Sequence, residues 1–298
     1  MKSKTNNLLI LHLTVFIFGF TGILGDLITL PADLLVFYRC FIAFVALAIV
    51  GLAFKKLKKL PIAMMLQLMG IGVVTAVHWI LFFGAIKVST ISVGVAIMAS
   101  TALWIALIEP LISWRKIDYR EILLGIVVII GLGIIFSVER KYMLGIVLAL
   151  LSAVFAAIFS VLNSKMIKKT DSYNIAFYEM LAASAAVFIY LNFFGDLGTS
   201  VSPMNWFYLI VLGTLATAFA FVMSVEVMKV LSPFTVGISI NLEPIYTIIL
   251  ALLFFPKKEE MSFGFYIGTA ILIIAIFLDT YMRRRQRKAK KVQAQSAE

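Results

Sequence analysis

Ten stretches of about 20 mostly apolar residues follow one another along the chain, and each is long enough to cross a bilayer as a helix. Within the hydrocarbon core only helices and closed barrels satisfy all of their backbone hydrogen bonds. A barrel would alternate apolar and polar residues in short strands, which these runs do not. The sequence therefore predicts an all-α integral membrane protein with transmembrane helices at 8–27, 33–54, 62–86, 90–113, 121–137, 142–163, 172–194, 204–228, 234–255 and 263–281.

The composition excludes the main alternatives to a membrane protein. Of the 298 residues, 62% are hydrophobic and 14% are charged, whereas soluble chains are about half apolar and about a quarter charged. A soluble enzyme could not bury so much apolar surface, and disordered chains have the opposite composition.

Few residues are available for metal or disulfide chemistry. Cys40 is the only cysteine, and His12 and His78 are the only histidines. A disulfide within the chain is impossible, and we expect no metal and no cofactor. The first apolar run follows Lys2 and Lys4, but Gly25-Asp26-Leu27 lacks a small-x-small cleavage pattern, so we predict a retained helix rather than a signal peptide.

The basic residues predict the orientation of the chain. Of 26 Lys and Arg residues, 20 lie at the termini and in the connections after even-numbered spans, and five (Lys87, Arg140, Lys141, Lys257, Lys258) lie on the other side. Because cytoplasmic loops are enriched in Lys and Arg, both termini are predicted to be cytoplasmic, in a bacterial inner membrane. The net charge of +11 is then interpreted as contact with anionic lipid, not with nucleic acid.

A weak internal repeat appears when the chain is shifted by 143 residues. The shift aligns Gly70 with Gly213, Ser89 with Ser232, Gly94 with Gly237 and Gly125 with Gly268. Because five spans are an odd number, the second half would insert upside down relative to the first, as in many secondary transporters. We predict a first repeat at 1–139, an inverted second repeat at 140–282 and a basic cytoplasmic tail at 283–298.

Three of the ionisable residues inside the predicted spans are singled out, because a charge in a bilayer is costly. Arg39, near the outer end of span 2, is interpreted as reaching the headgroups or as pairing with a carboxylate. Glu179 in span 7 is interpreted as the corresponding structural anchor. Glu243 precedes Pro244 in mid-span, where proline frees the carbonyl of Ile240. This pattern is typical of a substrate or proton site, with a buried carboxylate bonded to a neighbouring helix as the alternative.

Six spans carry polar and aromatic residues at helical spacing, which predicts a shared cavity lined by rings and hydroxyl groups. Helix packing through small residues is the alternative for any one of these faces. A cavity of this kind suits a small amphipathic metabolite better than a bare ion. The predicted lining residues are His12, Phe16, His78, Trp79, Phe82, Ser100, Thr101, Trp104, Phe155, Phe159, Asn163, Thr217, Phe221, Ser239, Glu243 and Tyr246.

Several of these segments resemble the EamA family of the drug/metabolite transporter superfamily. Asn241-Leu242-Glu243-Pro244, followed by an apolar run and by Gly264 and Gly268, resembles the end of a repeat. Tyr38-Arg39 and the residues 85–89 resemble the first repeat, and Tyr178-Glu179 resembles the second. One departure is Thr101, which stands where first repeats often carry proline, so the sequence does not predict a family-like kink at that point.

The resemblance implies a carrier that works by alternating access about a central cavity. Such carriers commonly export amino acids and related metabolites from bacteria, while distant relatives carry nucleotide sugars or sugar phosphates. No Lys or Arg is predicted at mid-depth, which argues against anionic substrates. We therefore predict a secondary transporter that exports amino acids, with aromatic or amphipathic ones favoured, as a monomer or weak dimer.

Two other functions are weighed against this prediction. The first is a carrier of another small metabolite or drug-like compound, such as a nucleobase, sugar or nucleotide sugar. The second, less favoured, is an intramembrane enzyme. The His-Glu-x-x-His pattern and paired mid-span aspartates are both absent from the sequence. A Ser/His dyad that uses His78 is the catalytic arrangement left open.

Overall fold

The computed structural model describes residues 4–114, 119–227, 242–275, 277–278 and 281, and these residues form helices and no strand. A short 3₁₀ helix at Arg140–Tyr142 precedes the seventh α-helix, and a π-helix at Thr214–Phe219 joins the ninth to the tenth. The helices are α1 (Lys4–Leu27), α2 (Ala32–Ala53), α3 (Ile62–Val88), α4 (Ile91–Met98), α5 (Thr101–Ser113), α6 (Tyr119–Val138), α7 (Met143–Met166), α8 (Ser172–Phe194), α9 (Pro203–Gly213), α10 (Ala220–Glu226), α11 (Glu243–Phe254) and α12 (Phe263–Ala275).

Seven helical segments in the described part of the chain are long and apolar enough to cross a membrane, and three shorter apolar helices accompany them. The shorter helices are Leu123–Val138, Glu243–Phe254 and Phe263–Ala275. They overlap the predicted spans 5, 9 and 10. The prediction of an all-helical, multi-pass membrane protein is confirmed, whereas the count of ten spans and the inverted repeat stay predictions.

Helix α3 lies at the centre of the bundle, where it packs against α7, α8 and α2. Its buried residues, which include Ile71, Trp79, Phe83 and Ile86, lie on one broad side of the helix, and Val73 on the other side is exposed. An apolar side of this width is covered by more than one neighbouring helix, in agreement with the contacts to α7, α8 and α2. The same helix contributes Trp79 and His78 to the site described below.

Two helical segments are interrupted in the middle. The fourth predicted span is broken at Ala99 and Ser100, immediately before Thr101, so α4 and α5 are separate helices. A break is therefore present without the proline that the family often carries there, contrary to the expectation from sequence. In the eighth span, the π-helix widens the turn around Thr217. Such local departures from α-helical geometry often occur at functional sites.

Several connections are tied together at one end of the bundle. This end is called the odd-loop face and comprises residues 26–31, 87–92, 139–142, 195–205 and 255–262. Its contacts join Lys258 to Asp26, Asn205 to Thr29, the Glu139 carboxylate to the Ser262 N–H and the Lys87 ammonium to the Ile28 carbonyl. Connections that are distant in sequence are thus held side by side.

Glu259 joins two connections of the odd-loop face through buried hydrogen bonds. Its side chain is fully buried, and its two carboxylate oxygens accept hydrogen bonds from the backbone N–H groups of Ile91 (2.9 Å) and Ser92 (2.8 Å). The first N–H groups of a helix have no partner within it, and the helix dipole favours a negative charge at this end. Glu259 therefore completes the N-terminus of α4 from the far end of the sequence.

The opposite end, called the even-loop face, comprises residues 54–61, 112–114 and 165–174. Lys58 forms an ion pair with Asp171 at 2.8 Å, and Asn174 donates to the carbonyl of Lys56. Partial burial alone would raise the pKa of Asp171, but the hydrogen bonds from Lys58 and Asn174 outweigh it and lower the pKa below its ordinary value. The carboxylate is therefore ionised at neutral pH, and the contact between the two connections persists.

Helices α6 and α12 cross where Gly131 faces Gly268. A Cβ atom added at Gly131 would lie 3.0 Å from the carbonyl oxygen of Gly268, whereas one added at Gly133 would meet nothing within 4 Å. We expect Gly131→Leu to lower the thermal stability of the purified protein, because overpacking at a close helix contact costs about 1–3 kcal/mol. Gly133→Leu is the matched control and should be neutral. Equal melting temperatures for the two variants would contradict the close crossing.

Candidate functional site

Arg39 is a cation buried inside the bundle, not a residue that reaches the headgroups. It is 3% exposed, and its guanidinium carbon lies 4.0 Å from the centre of the Trp79 ring and 5.4 Å from that of Phe83. Its Nε donates to the Thr217 hydroxyl at 2.7 Å. A cation over an indole face is stabilised by about 2 kcal/mol when water is excluded. The headgroup interpretation of Arg39 is therefore wrong.

The π-helix explains how Thr217 reaches Arg39. The Thr217 hydroxyl donates to the carbonyl of Leu212, five residues earlier, at 2.7 Å, which leaves its lone pairs to accept from Arg39. Gly213 allows this segment to approach α2, because a Cβ atom there would lie 3.1 Å from the Arg39 carbonyl oxygen. The wider turn and the small residue together fix the orientation of the guanidinium.

One nitrogen of the Arg39 guanidinium has no hydrogen-bond partner among the described residues. Its Nη1 is buried without an acceptor, whereas its Nε donates to Thr217 and its guanidinium carbon lies over the Trp79 ring. Buried charged groups in folded proteins are paired or hydrogen-bonded, because desolvation without compensation is costly. The arrangement leaves a fixed N–H donor suited to an anionic oxygen.

Glu243 is the acidic residue that interacts with this cation. It is the first residue of α11, with Leu242 as the N-cap and Pro244 in the first turn, where proline is tolerated. Its side chain is half-buried, and the carboxylate interacts electrostatically with Arg39. Within the described residues, no guanidinium nitrogen of Arg39 lies within 4.0 Å of a Glu243 carboxylate oxygen. The carbonyl of Ile240, predicted to be freed by Pro244, lies outside the described residues.

His78 connects α3 to α7 next to this pair of charges. Its Nδ1 lies 3.0 Å from the Ser152 carbonyl oxygen and 2.8 Å from the Ser152 hydroxyl, and that hydroxyl donates to the His78 carbonyl at 2.9 Å. Both side chains are buried. Phe82 and Phe159 stack on the His78 ring with centroid distances of 6.3 and 5.4 Å. The imidazole is thus held by two helices and two rings.

These hydrogen bonds do not resemble a catalytic Ser/His dyad. The two backbone carbonyls are satisfied when Nδ1 carries a proton and the Ser152 hydroxyl donates to His78. We assign that tautomer from the hydrogen-bond network. In this state Nδ1 is not a base toward the Ser152 oxygen, and the pair joins two helices.

Phe16 and Tyr246 form a second aromatic contact, between α1 and α11. Their ring centroids lie 6.0 Å apart in an edge-to-face arrangement, and Phe16 is 41% exposed. Gly19 allows the approach, since a Cβ atom there would lie 3.3 Å from the Cβ of Tyr246. Tyr246 lies one turn after Glu243, so this contact borders the carboxylate.

The structure places the other predicted lining residues at several positions. Ser100 is fully buried and Trp104 partly so, and the Ser100 hydroxyl and the Trp104 indole N–H both lack a partner within the described part of the chain. Thr101 donates to the carbonyl of Met98. Phe155 is half-buried on α7, and Asn163 of the same helix neighbours Glu179. Phe221 packs on two apolar clusters, whereas His12 is exposed on α1. Ser239 lies outside the described residues.

The residues brought together are therefore fewer than those predicted, and one key residue was not among them. Trp79 and Thr217 contact Arg39, and Glu243 and His78 interact with it electrostatically. Arg39 was noticed in the sequence but was not assigned to the site, because its partner Thr217 lies 178 residues away. The argument against anionic substrates rested on the absence of Lys and Arg at mid-depth and did not consider Arg39, which is buried over the Trp79 ring.

Comparison with known proteins identifies the family. The family model described as "EamA-like transporter family" matches the chain twice, over residues 6–137 and 143–281. The chain belongs to this family of membrane transporters, as the resemblance noted in the sequence predicted. Glu259 lies in the second matched region, and the α4 N-terminus that it caps lies in the first.

Two relatives agree with this assignment, and a solved structure shares the fold. An uncharacterized transporter of Bacillus subtilis (strain 168), YxxF, is 24% identical over 298 residues, covering 97% of this chain and 93% of that protein. An uncharacterized transporter of Archaeoglobus fulgidus is 23% identical over 211 residues, covering 71% of this chain and 75% of its own length. One crystal structure matches the fold with a TM-score of 0.65 at 18% identity, over 95% of this chain and 100% of that chain.

Proposed function

We propose that the protein is a secondary transporter of zwitterionic amino acids, with a preference for aromatic or amphipathic side chains. The observation that carries this proposal is the buried Arg39 guanidinium over the Trp79 ring, with the Glu243 carboxyl group within electrostatic reach of it. An α-amino acid presents a carboxylate and an ammonium group on one carbon. It would offer an acceptor to Arg39 and a cation to Glu243 at the same time.

The physical argument concerns the cost of an isolated charge inside a bilayer. A zwitterion has no net charge, but each of its ends needs a partner once water is removed. The Nη1 of Arg39, which has no partner among the described residues, supplies a charge-assisted donor for the carboxylate. Glu243 supplies the acceptor for the ammonium group. A substrate with both charges is therefore matched by the site in a way that a neutral sugar or nucleobase is not.

The aromatic residues around the charges would select the side chain of the substrate. Trp79, Phe82 and Phe83 are buried on α3 beside Arg39, and His78 and Phe159 extend the same surface. Aromatic pairs contribute about 0.5–1.5 kcal/mol beyond the burial of area. An aromatic amino acid would gain more from this surface than a small polar one.

Transport itself would proceed by alternating access between the two regions matched by the family. The interrupted helices α4–α5 and α9–α10 supply positions where one part of the bundle can bend relative to another. Lys and Arg are concentrated on the even-loop side of the chain. This supports an orientation in which the even-loop face is in the cytoplasm and the protein lies in the inner membrane of a bacterial cell. Export is the direction we propose.

The proposal is tested by reconstituting the purified protein in liposomes and measuring counterflow of labelled amino acids. We expect saturable exchange, fastest for aromatic or amphipathic amino acids, and no current in the absence of substrate. If none of the twenty amino acids is exchanged, while a known carrier is active in liposomes of the same kind, an amino acid is rejected as the substrate. A conducted current without saturation would reject a carrier.

Glu243→Gln tests the role of the carboxylate in recognising the ammonium group. The substitution keeps shape and removes charge, so we expect weaker exchange of amino acids, while exchange of the deaminated carboxylic acid is retained. The ratio of the two activities in wild type and variant is the measurement. Glu260→Gln is the matched control, because Glu260 is exposed in the α11–α12 connection. An unchanged ratio in Glu243→Gln would contradict contact with the ammonium group.

A monoanionic metabolite is a second candidate, and Arg39 is the observation that favours it. A buried guanidinium with a free N–H recognises a phosphate or carboxylate equally well in geometric terms. For such a substrate, Glu243 would act as an unfavourable like charge, and Glu243→Gln would increase binding. Counterflow of amino acids that disappears in Glu243→Gln excludes this candidate.

A further inference from the structure

Glu179 is a second buried carboxyl group, and it lies away from the Arg39 site. It is 0% exposed, two turns into α8 from the even-loop face, and both of its carboxyl oxygens are buried without a hydrogen-bond donor among the described residues. Asn163 of α7 is close enough to Glu179 to interact with its carboxyl group, and the Asn163 Oδ1 atom is likewise buried without a donor. The two residues therefore carry three buried acceptor oxygens, none of which receives a hydrogen bond from the described part of the protein.

The surroundings of Glu179 are apolar and closely packed. Ile175, one helical turn earlier on α8, belongs to a buried cluster with Leu68, Ile71 and Met166. Gly72 of α3 lies against the Glu179 backbone so closely that a Cβ atom there would be 2.4 Å from its carbonyl oxygen. An ionised carboxylate in such a place would be strongly destabilised unless it were paired.

The described residues of the neighbouring helices supply no such partner. Helices α2, α3 and α10 pack against α8, and α7 brings Asn163 to it. Arg39, His78 and Lys165 are bonded elsewhere, to Thr217, Ser152 and the Ile112 carbonyl. The titratable side chains described on these helices and on α8 are Asp33, Tyr38, Arg39, Cys40, His78, Lys87, Lys165, Tyr173, Tyr178, Tyr190 and Glu226.

We propose that Glu179 and Asn163 form a proton-binding site within the bundle, in which a neutral Glu179 carboxyl donates its proton to Asn163 Oδ1. One proton removes the charge from the apolar cluster and supplies the donor that both groups lack. A metal ion does not fit, since Na⁺ and Ca²⁺ need several oxygen ligands, and no cluster of metal-binding side chains occurs among the described residues. The site is separate from the proposed substrate site.

Infrared difference spectroscopy of the purified protein at neutral pH tests this proposal without any substrate. We expect a carboxylic acid C=O band in wild type that is lost in Glu179→Gln and kept in Glu260→Gln. Asn163→Ala should shift the band to higher frequency, because a hydrogen bond is lost, whereas Asn192→Ala, at an exposed amide of α8, should not. Identical spectra of wild type and Glu179→Gln in this region would show that Glu179 contributes no protonated carboxyl group and would overturn the proposal.

A second measurement guards against a misfolded variant. Glutamine has the shape of a neutral carboxyl group, so Glu179→Gln should melt within a few degrees of wild type. A large loss of thermal stability would show that the negative charge is needed and would overturn the proposal. Replacing Na⁺ by choline should leave the band unchanged, and a band present only without Na⁺ would identify a sodium site instead. Because none of these readouts involves transport, they remain informative if the amino-acid proposal fails.

Discussion

Replacing Arg39 by alanine is expected to abolish amino-acid counterflow in liposomes. The guanidinium is fixed by Thr217 and Trp79 and keeps one buried N–H for the substrate. Removing one partner of a buried charge interaction costs about 2–5 kcal/mol, which is roughly a thirtyfold loss of affinity or more. Arg39→Lys keeps the charge but loses the planar donor set, so we expect it to recover little of the activity.

A pair of ligands separates recognition by Arg39 from a purely structural role. Wild type should bind an aromatic amino acid more tightly than the amine that lacks its carboxylate, as measured by thermal shift. In Arg39→Ala this preference should disappear, because the group that reads the carboxylate has been removed. If both ligands lose affinity equally, Arg39 holds the bundle together and does not contact the substrate.

Two further variants protect this experiment against misfolding. Thr217→Val removes the hydrogen bond that orients Arg39 and keeps the charge, so a smaller loss of the same preference is expected. Arg140→Ala removes an exposed arginine in the connection between α6 and α7 and should change nothing. A Thr217→Val protein with wild-type preference would show that the orientation of the guanidinium does not matter.

The helices could be predicted from the sequence because each one leaves a local signal. The apolar run over residues 172–194 is bounded by Asp171, which caps α8, and by Gly195, and the predicted span coincides with the observed helix. Pro31 and Pro61 similarly precede α2 and α3. Apolar periodicity and helix-ending residues lie within a few positions of one another, so they can be read without knowledge of the fold.

The interruptions and the charged site could not be predicted in the same way. The break at Ala99 and Ser100 contains neither proline nor glycine, and the tertiary contacts of α4 and α5 determine it instead. The partner of Arg39 is set by the packing of α2 on the π-helix at Gly213. Mid-span polar residues show that a site exists, but their pairing depends on which helices become neighbours.

Glu259 illustrates a different limit of prediction and carries the second large effect. In the sequence it is one of two adjacent acidic residues after Lys258, which is typical of a solvated loop. In the structure it is fully buried and caps α4, whereas Glu260 is exposed. We expect Glu259→Ala to weaken the closed odd-loop face, since two buried N–H groups lose their acceptor at a cost of about 1–3 kcal/mol each.

The consequence should be an opening of the odd-loop face, measured as maleimide labelling at position 261 in a Met261→Cys, Cys40→Ala background. Met261 is buried beside Thr90, so labelling should be slow with Glu259 present and at least about tenfold faster in Glu259→Ala, because 1.4 kcal/mol corresponds to a factor of ten. Glu260→Ala removes a neighbouring exposed acid and should leave the rate unchanged. Glu259→Gln keeps one acceptor and should give an intermediate rate. Equal labelling in Glu259→Ala and Glu260→Ala would show that the buried cap does not hold this face closed.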